Sequence, residues 1–166
     1  MAETVKVNSN VNLAIVGHDD GYLKEIKKKV REYNLNKNVV FAGPLYNRDR
    51  FIAYIDADVF VHTPVNYEET STASLEACSC YTPAIVTKQA SIPWLEEYKA
   101  GFCMDYDVKK ITEKILWLLE NNERLKAYSH NARKLIEDKF DLNKVVAKLE
   151  ERFLNILKKN KLKKFF

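Results

Sequence analysis

Short apolar runs alternate along this chain with longer stretches in which apolar residues return every three or four positions. Residues 11–16, VNLAIV, form a mostly apolar run ending at Gly17, which predicts a buried strand closed by a tight loop. In the following GYLKEIKKKVREY, Leu23, Ile26, Val30 and Tyr33 recur at helical spacing with lysines on the other side, which predicts an amphipathic helix. The pair repeats. Val39, Val40 and Phe41 form a strand ending at Gly43-Pro44, a helix covers 48–55, and a third strand covers 58–61. The helix STASLEACSC runs into Pro83, a fourth strand covers 84–87, a turn of helix lies near 93–95, and 101–104 reads as an edge strand. Helical spacing then dominates, over 108–119, 122–138 and 142–159.

Strands separated by single helices require right-handed crossovers, hence a parallel sheet with helices on both faces. The predicted fold class is therefore α/β, a Rossmann-like three-layer αβα arrangement. Residues 11–140 make up the domain, residues 1–10 read as a disordered or extraneous N-terminus, and 141–166 as a C-terminal helix with a basic tail. Ligands of such sheets bind beyond the carboxyl ends of the strands, so the loops after Gly17, Gly43, Val61 and Thr87 are where function is to be sought.

Composition narrows the picture. With 166 residues, 46% hydrophobic and only four Gly and four Pro, the chain fits one globular domain that needs no disulfide or metal to hold a core. Three cysteines, Cys78, Cys80 and Cys103, make an odd set that suits a reducing compartment, and the first two point apart on a helix. The net charge of +4 resides in the tail: the last 15 residues hold six basic groups and no acid, leaving −2 before them. The domain thus has no general claim on nucleic acid. No run approaches the ~18 apolar residues of a membrane span, and the polar start lacks a signal peptide's apolar stretch, so a cytoplasmic protein is expected.

The most informative stretch is HTPVNYEETSTASLEACSCYTPAIVT. A loop after the third strand carries Glu68, and a helix begins near Ser71-Thr72, with Glu76 about one turn inside it. Thr70 or Ser71 is the expected N-cap, and the amides beyond it, with the helix dipole, suit phosphate. Small side chains at Ser71, Thr72 and Ala73 let a diphosphate approach the backbone. Carboxylates on either side of such a helix start can accept from paired sugar hydroxyls. His18-Asp19-Asp20, after the first strand, reads as an N-cap for the next helix in preference to a metal cluster.

These segments resemble the carboxyl-terminal lobe of retaining glycosyltransferases of family 4, which have the two-lobed GT-B fold. The family's E-x7-E followed by A-x-A-x-G-x-P-V-V is matched by Glu68, seven residues, Glu76 and then ACSCYTPAIVT, and LAIVG, NVVFAGPL and YIDADVFVHTP precede it in the family's order. The resemblance implies a donor-binding lobe for a nucleoside-diphosphate sugar. Glu68 would stand near the transferred sugar as the catalytic carboxylate, Glu76 would hold the ribose, and the backbone of Thr70, Ser71 and Thr72 would hold the diphosphate. Gly17 would lie at the site, and Gly43, Pro44 and Leu45 would lie beside the base. The family usually uses no metal, so no cofactor is expected. Departures are Glu69-Thr70-Ser71 where Gly-Phe-Gly is common, and Tyr81 where Gly usually precedes Thr82-Pro83.

The implied partners are the nucleotide sugar and an N-terminal acceptor-binding lobe that these residues do not include. The tail, with Phe153, Ile156 and Leu157 on one side and lysines around them, suits either that lobe or the cytoplasmic face of an anionic membrane. The isolated chain is expected to bind its donor without turnover. Two alternatives are a nucleotide-sugar-binding module with no catalysis of its own and a signalling receiver domain. The receiver lacks support, since His62-Thr63-Pro64 stands where it needs a phosphoryl-accepting Asp.

Overall fold

The computed structural model describes residues 1–66 and 71–163. All strands pair in parallel, as the alternation requires, but they form two sheets. One holds β1 (Leu13–Val16) and β2 (Val39–Gly43); the other has the order β3 (Phe60–His62), β4 (Ala84–Thr87), β5 (Gly101–Met104). The helices are α1 (Ala2–Val7), α2 (Leu23–Glu32), α3 (Asn47–Ile55), α4 (Thr72–Ser79), α5 (Val108–Leu119), α6 (Asn122–Lys139) and α7 (Leu142–Lys163). A short 3-10 turn, Lys88–Ala90, follows β4 directly, while residues 93–95 form turns.

Residues 1–10, expected to lie outside the domain, belong to it. Met1, Ala2 and Val5 of α1 pack on Val30, Leu35 and Val39, and Thr4 is fully buried. The sequence hid this because α1 spans six residues, too few for a helical period to stand out among polar neighbours.

Each sheet shows its burial in its pattern. In β1 and β2 burial alternates, so Leu13, Ile15, Val39 and Phe41 face the cluster under α1 and α2, while Ala14, Val16 and Val40 face away. β4 is buried at all four positions, as a central parallel strand must be. Ala84 and Val86 join Cys78, Ile92, Leu95, Ala132 and Leu135 in the main core, where each large aliphatic side chain contributes about 1.5–3 kcal/mol. The cysteines are free, and burial pushes the Cys78 thiol up to about 12, so it acts as a small apolar residue.

α4 ends on Tyr81 at φ 66°, with the amides of Tyr81 and Thr82 donating to the carbonyls of Cys78 and Ala77. This is the left-handed close that glycine usually makes. The ring is held over α6, edge-on to His130 at 5.8 Å and under the Arg133 guanidinium at 5.7 Å.

Gly101 stands opposite Ala84 in the β4–β5 ladder, and a Cβ there would collide with the Ala84 carbonyl oxygen and come within 2.9 Å of its amide nitrogen. Backbone cannot yield as a side chain does, so Gly101→Ala is expected to cost about 3 kcal/mol or more. Urea unfolding followed by circular dichroism measures this; a loss below about 1 kcal/mol would contradict the close approach.

Candidate functional site

The carboxyl end of β1 leads into Gly17 and that of β2 is Gly43, and the two meet: the Gly17 amide donates to the Gly43 carbonyl at 3.0 Å. Gly43, at φ 69°, turns the chain through Pro44 and Leu45 into α3. Across this junction His18 Nε2 and the Tyr46 hydroxyl share a hydrogen bond of 2.6 Å. Asp19 accepts from the amides of Gly21 (2.8 Å) and Leu23 (3.1 Å), and these bonds hold its carboxyl below the usual value. These bonds tie the turn to the start of α2, but the N-cap position itself falls on Tyr22, not on His18, Asp19 or Asp20 as expected, and its side chain makes no capping bond.

Ser71 is the N-cap of α4. Its Oγ accepts from the Ser74 amide at 3.3 Å and from the Ser74 hydroxyl at 3.0 Å, and both residues are buried. The cap takes one of the first-turn amides. Those of Thr72 and Ala73, at the same positive end of the helix, donate to no acceptor among the described residues. Glu68 and Thr70 lie outside the described residues.

Glu76 is half-buried and held by α3. Its Oε1 faces Arg50 Nη2 at 3.0 Å, and its Oε2 accepts from the Tyr54 hydroxyl at 3.3 Å. Because Arg50 sits in the first turn of α3, the carboxylate is tied toward the loop in which Gly43, Pro44 and Leu45 lie. Two charge-assisted partners leave further lone pairs on each oxygen for incoming hydroxyls. Burial, then the Glu76 charge, raises the Tyr54 phenol above its ordinary value, so Tyr54 remains a donor at neutral pH.

The structure therefore brings Gly17 to Gly43 and, through Arg50, links Glu76 to α3. Arg50 and Tyr54 escaped the sequence reading. Their one signal was two polar-tipped residues four apart on a helix bound to face the helix bearing Glu76. A recess of about 880 Å³ lies at the opposite, amino ends of β3 and β4, between Phe51, Ile55, Tyr81, His130 and Arg133.

Residues 1–135 match the family described as glycosyl transferases group 1. An uncharacterized glycosyltransferase of Methanocaldococcus jannaschii is 26% identical over 155 residues, 90% of this chain and 39% of that protein. The capsular polysaccharide biosynthesis glycosyltransferase CapM of Staphylococcus aureus is 30% identical over 127 residues, 75% of this chain and 33% of that protein. The chain thus spans between a third and two fifths of these relatives. Among solved structures, Anabaena HepE in complex with UDP-glucose superposes with a TM-score of 0.79 at 19% identity, over 93% of this chain and 44% of that one. The C-terminal domain of LpcC from Francisella tularensis does so with 0.70 at 19% identity, over 85% of this chain and 75% of that one. These likenesses give an α/β fold with parallel sheets, that of the carboxyl-terminal lobe of GT-B glycosyltransferases.

The Arg50–Glu76 pair is partly open to solvent, with side-chain exposures of 41% and 27%, which limits its contribution. Arg50→Met is expected to cost no more than about 1 kcal/mol in chemical unfolding. It should also move the Tyr54 ionisation further up, because Arg50 opposes the other influences on that phenol. A downward movement in an NMR pH titration would show that the guanidinium does not act on Tyr54.

Proposed function

Because this chain belongs to the group 1 glycosyltransferases, we propose that its residues form the lobe that binds a nucleoside-diphosphate sugar in an enzyme that passes the sugar to an acceptor hydroxyl with retained anomeric configuration. The observation that carries the reading is the Glu76 carboxylate, fixed by Arg50 and Tyr54 with acceptor capacity to spare. In this reading Glu76 takes the ribose diol. The amides of Thr72 and Ala73, at the Ser71-capped end of α4, take the diphosphate with Thr70 and Ser71, while Gly17, Gly43, Pro44 and Leu45 shape the wall for the base. Glu68 is proposed as the carboxylate beside the transferred sugar, where it orients hydroxyls and stabilises the oxocarbenium-like charge. The charge of the leaving diphosphate is met by amides, the helix dipole and basic side chains, with no metal called for. The UDP-glucose named with the Anabaena structure supports a uridine nucleotide as the first ligand to try.

Transfer also needs an acceptor held in line, and we propose that this comes from a second, N-terminal lobe. These 166 residues alone then bind the donor weakly and transfer nothing.

On α7, Leu142, Val146, Leu149, Phe153, Ile156 and Leu157 are exposed and recur every three or four residues along one side. We read this stripe as a seat for that second lobe. The run of basic residues after Glu151 favours a second reading, contact with anionic lipid at the cytoplasmic membrane face. Among the described residues no helix is long and apolar enough to cross a membrane.

Calorimetry with UDP, GDP, ADP and their sugars tests the donor site and names the base. Glu76→Ala is expected to weaken the preferred nucleotide by about tenfold or more, the loss of hydrogen bonds to a charged group. Unchanged affinity would end the ribose assignment. For the tail, flotation with phosphatidylglycerol vesicles is expected to be the same with and without residues 158–166 if α7 serves the second lobe, and to fall on truncation if it serves lipid.

A further inference from the structure

The recess at the amino ends of β3 and β4 takes its walls from three packed elements. α3 supplies Phe51 and Ile55, each one position beyond Arg50 and Tyr54 and so turned round the helix from the side that holds Glu76. The close of α4 supplies Ser79, Cys80 and Tyr81. α6 supplies a stripe along one face, from Asn122 and Leu125 through Lys126, Ser129 and His130 to Arg133, in the i, i+3, i+4 pattern of a helix side. The volume of about 880 Å³ falls in the range of small-molecule sites, roughly 300–1,000 Å³.

The lining joins open apolar surface to fixed positive charge. Phe51 is 37% exposed, Tyr81 48% and Ile55 64%. Facing them, the α6 stripe carries Lys126, His130 and Arg133 and no acid, and Asp58 is the one carboxylate among the described residues that line the recess. Arg133 is held in place: Nε donates to Glu137 at 2.6 Å, Nη1 donates to the Ser79 carbonyl at 2.8 Å, and the guanidinium lies over the Tyr81 ring. Its Nη2 donates to no acceptor among the described residues. Lys126 has an exposed pair with Glu123 at 3.4 Å, which an incoming anion can outbid. An oriented guanidinium with donors to spare, beside a second cation, suits an oxyanion.

Tyr81 points the same way. It stands at φ 66°, where a bulky residue is disfavoured and glycine is not, and what the chain gains there is an aromatic ring in the wall of the recess. We propose that this recess binds a small amphiphilic anion, an aromatic body bearing a single carboxylate or phosphate. The body lies against Phe51, Ile55, Leu125 and Tyr81, and Arg133, Lys126 and His130 meet the anionic group. Three converging walls favour a small molecule over a protein surface or a bilayer, both of which need a broad open face. The inference rests on the recess alone and stands whether or not the chain binds a nucleotide sugar.

Cys80, a free and half-buried thiol in the wall, reports on occupancy. The probes are naphthyl phosphate and phenylbutyrate, with naphthyl glucoside as the neutral control. Either anion is expected to slow alkylation of Cys80 by N-ethylmaleimide about fivefold or more, followed by mass spectrometry, and to leave Cys103 on β5 unaffected. In calorimetry, Ile55→Asp and, separately, Lys126→Glu combined with His130→Glu are expected to weaken the bound anion about tenfold or more, with circular dichroism unchanged. Failure of both anions to protect Cys80 overturns the proposal, as does unchanged affinity in the charge-reversed variant. Equal binding of the neutral glucoside overturns the assignment to an anion. A dimer in sedimentation that already shields Cys80 without ligand also overturns it, since a second copy would then be the occupant.

Discussion

Tyr54 holds the two halves of the molecule together through three of its groups. Its carbonyl oxygen accepts from the Thr82 hydroxyl at 2.5 Å, its phenol donates to Glu76, and its ring stands edge-on to Phe60 at 5.5 Å. One residue of α3 is thereby bonded or packed to α4, to β3 and to the turn before β4. Besides it α3 offers α4 the Arg50 guanidinium, while its Phe51, Ile52 and Ile55 are exposed. The position of the Glu76 carboxylate follows from this anchorage together with the Arg50 pair.

The site is assembled from two kinds of element for two physical reasons. Charge is placed by helices: the start of α4 supplies oriented amides and the start of α3 supplies a guanidinium, and both are rigid because their helices pack. Shape is placed by glycines: Gly17 and Gly43 let two strand ends come within hydrogen-bonding distance of one another without side chains between them. Loops beyond the carboxyl ends of parallel strands are the one region of such a fold where both can converge on a ligand.

Much of this was legible from residue order. Apolar runs located the strands because a strand buried on both faces, as β4 is, carries a polar residue only where it finds a partner, as Thr87 does in the Pro64 carbonyl, and Ser71 announced the start of α4 because a hydroxyl there satisfies an orphan amide. The β3 boundary shifted from 58–61 to Phe60–His62, since two residues of the apolar run belong to the approach to the strand. What could not be read were relations between segments. Nothing in the order of residues says that Arg50 will meet Glu76, because the pair is 26 positions apart and forms only when two helices dock. Nor does periodicity reveal who a strand's neighbour is, which is why five strands read as one sheet fall into two.

The close of α4 at Tyr81 limits how this part of the molecule can move. A bulky residue in the left-handed region is disfavoured by about 1–2 kcal/mol, and it persists there only while its surroundings leave no easier conformation. Here the surroundings are α6 itself, through His130 and Arg133, with Arg133 also donating to the Ser79 carbonyl at 2.8 Å. A glycine in that place would act as a swivel; the tyrosine acts as a latch. The far end of α4 is therefore locked to the body of the protein through α6, and this helix is held in place while the loops beside it are not tied in the same way.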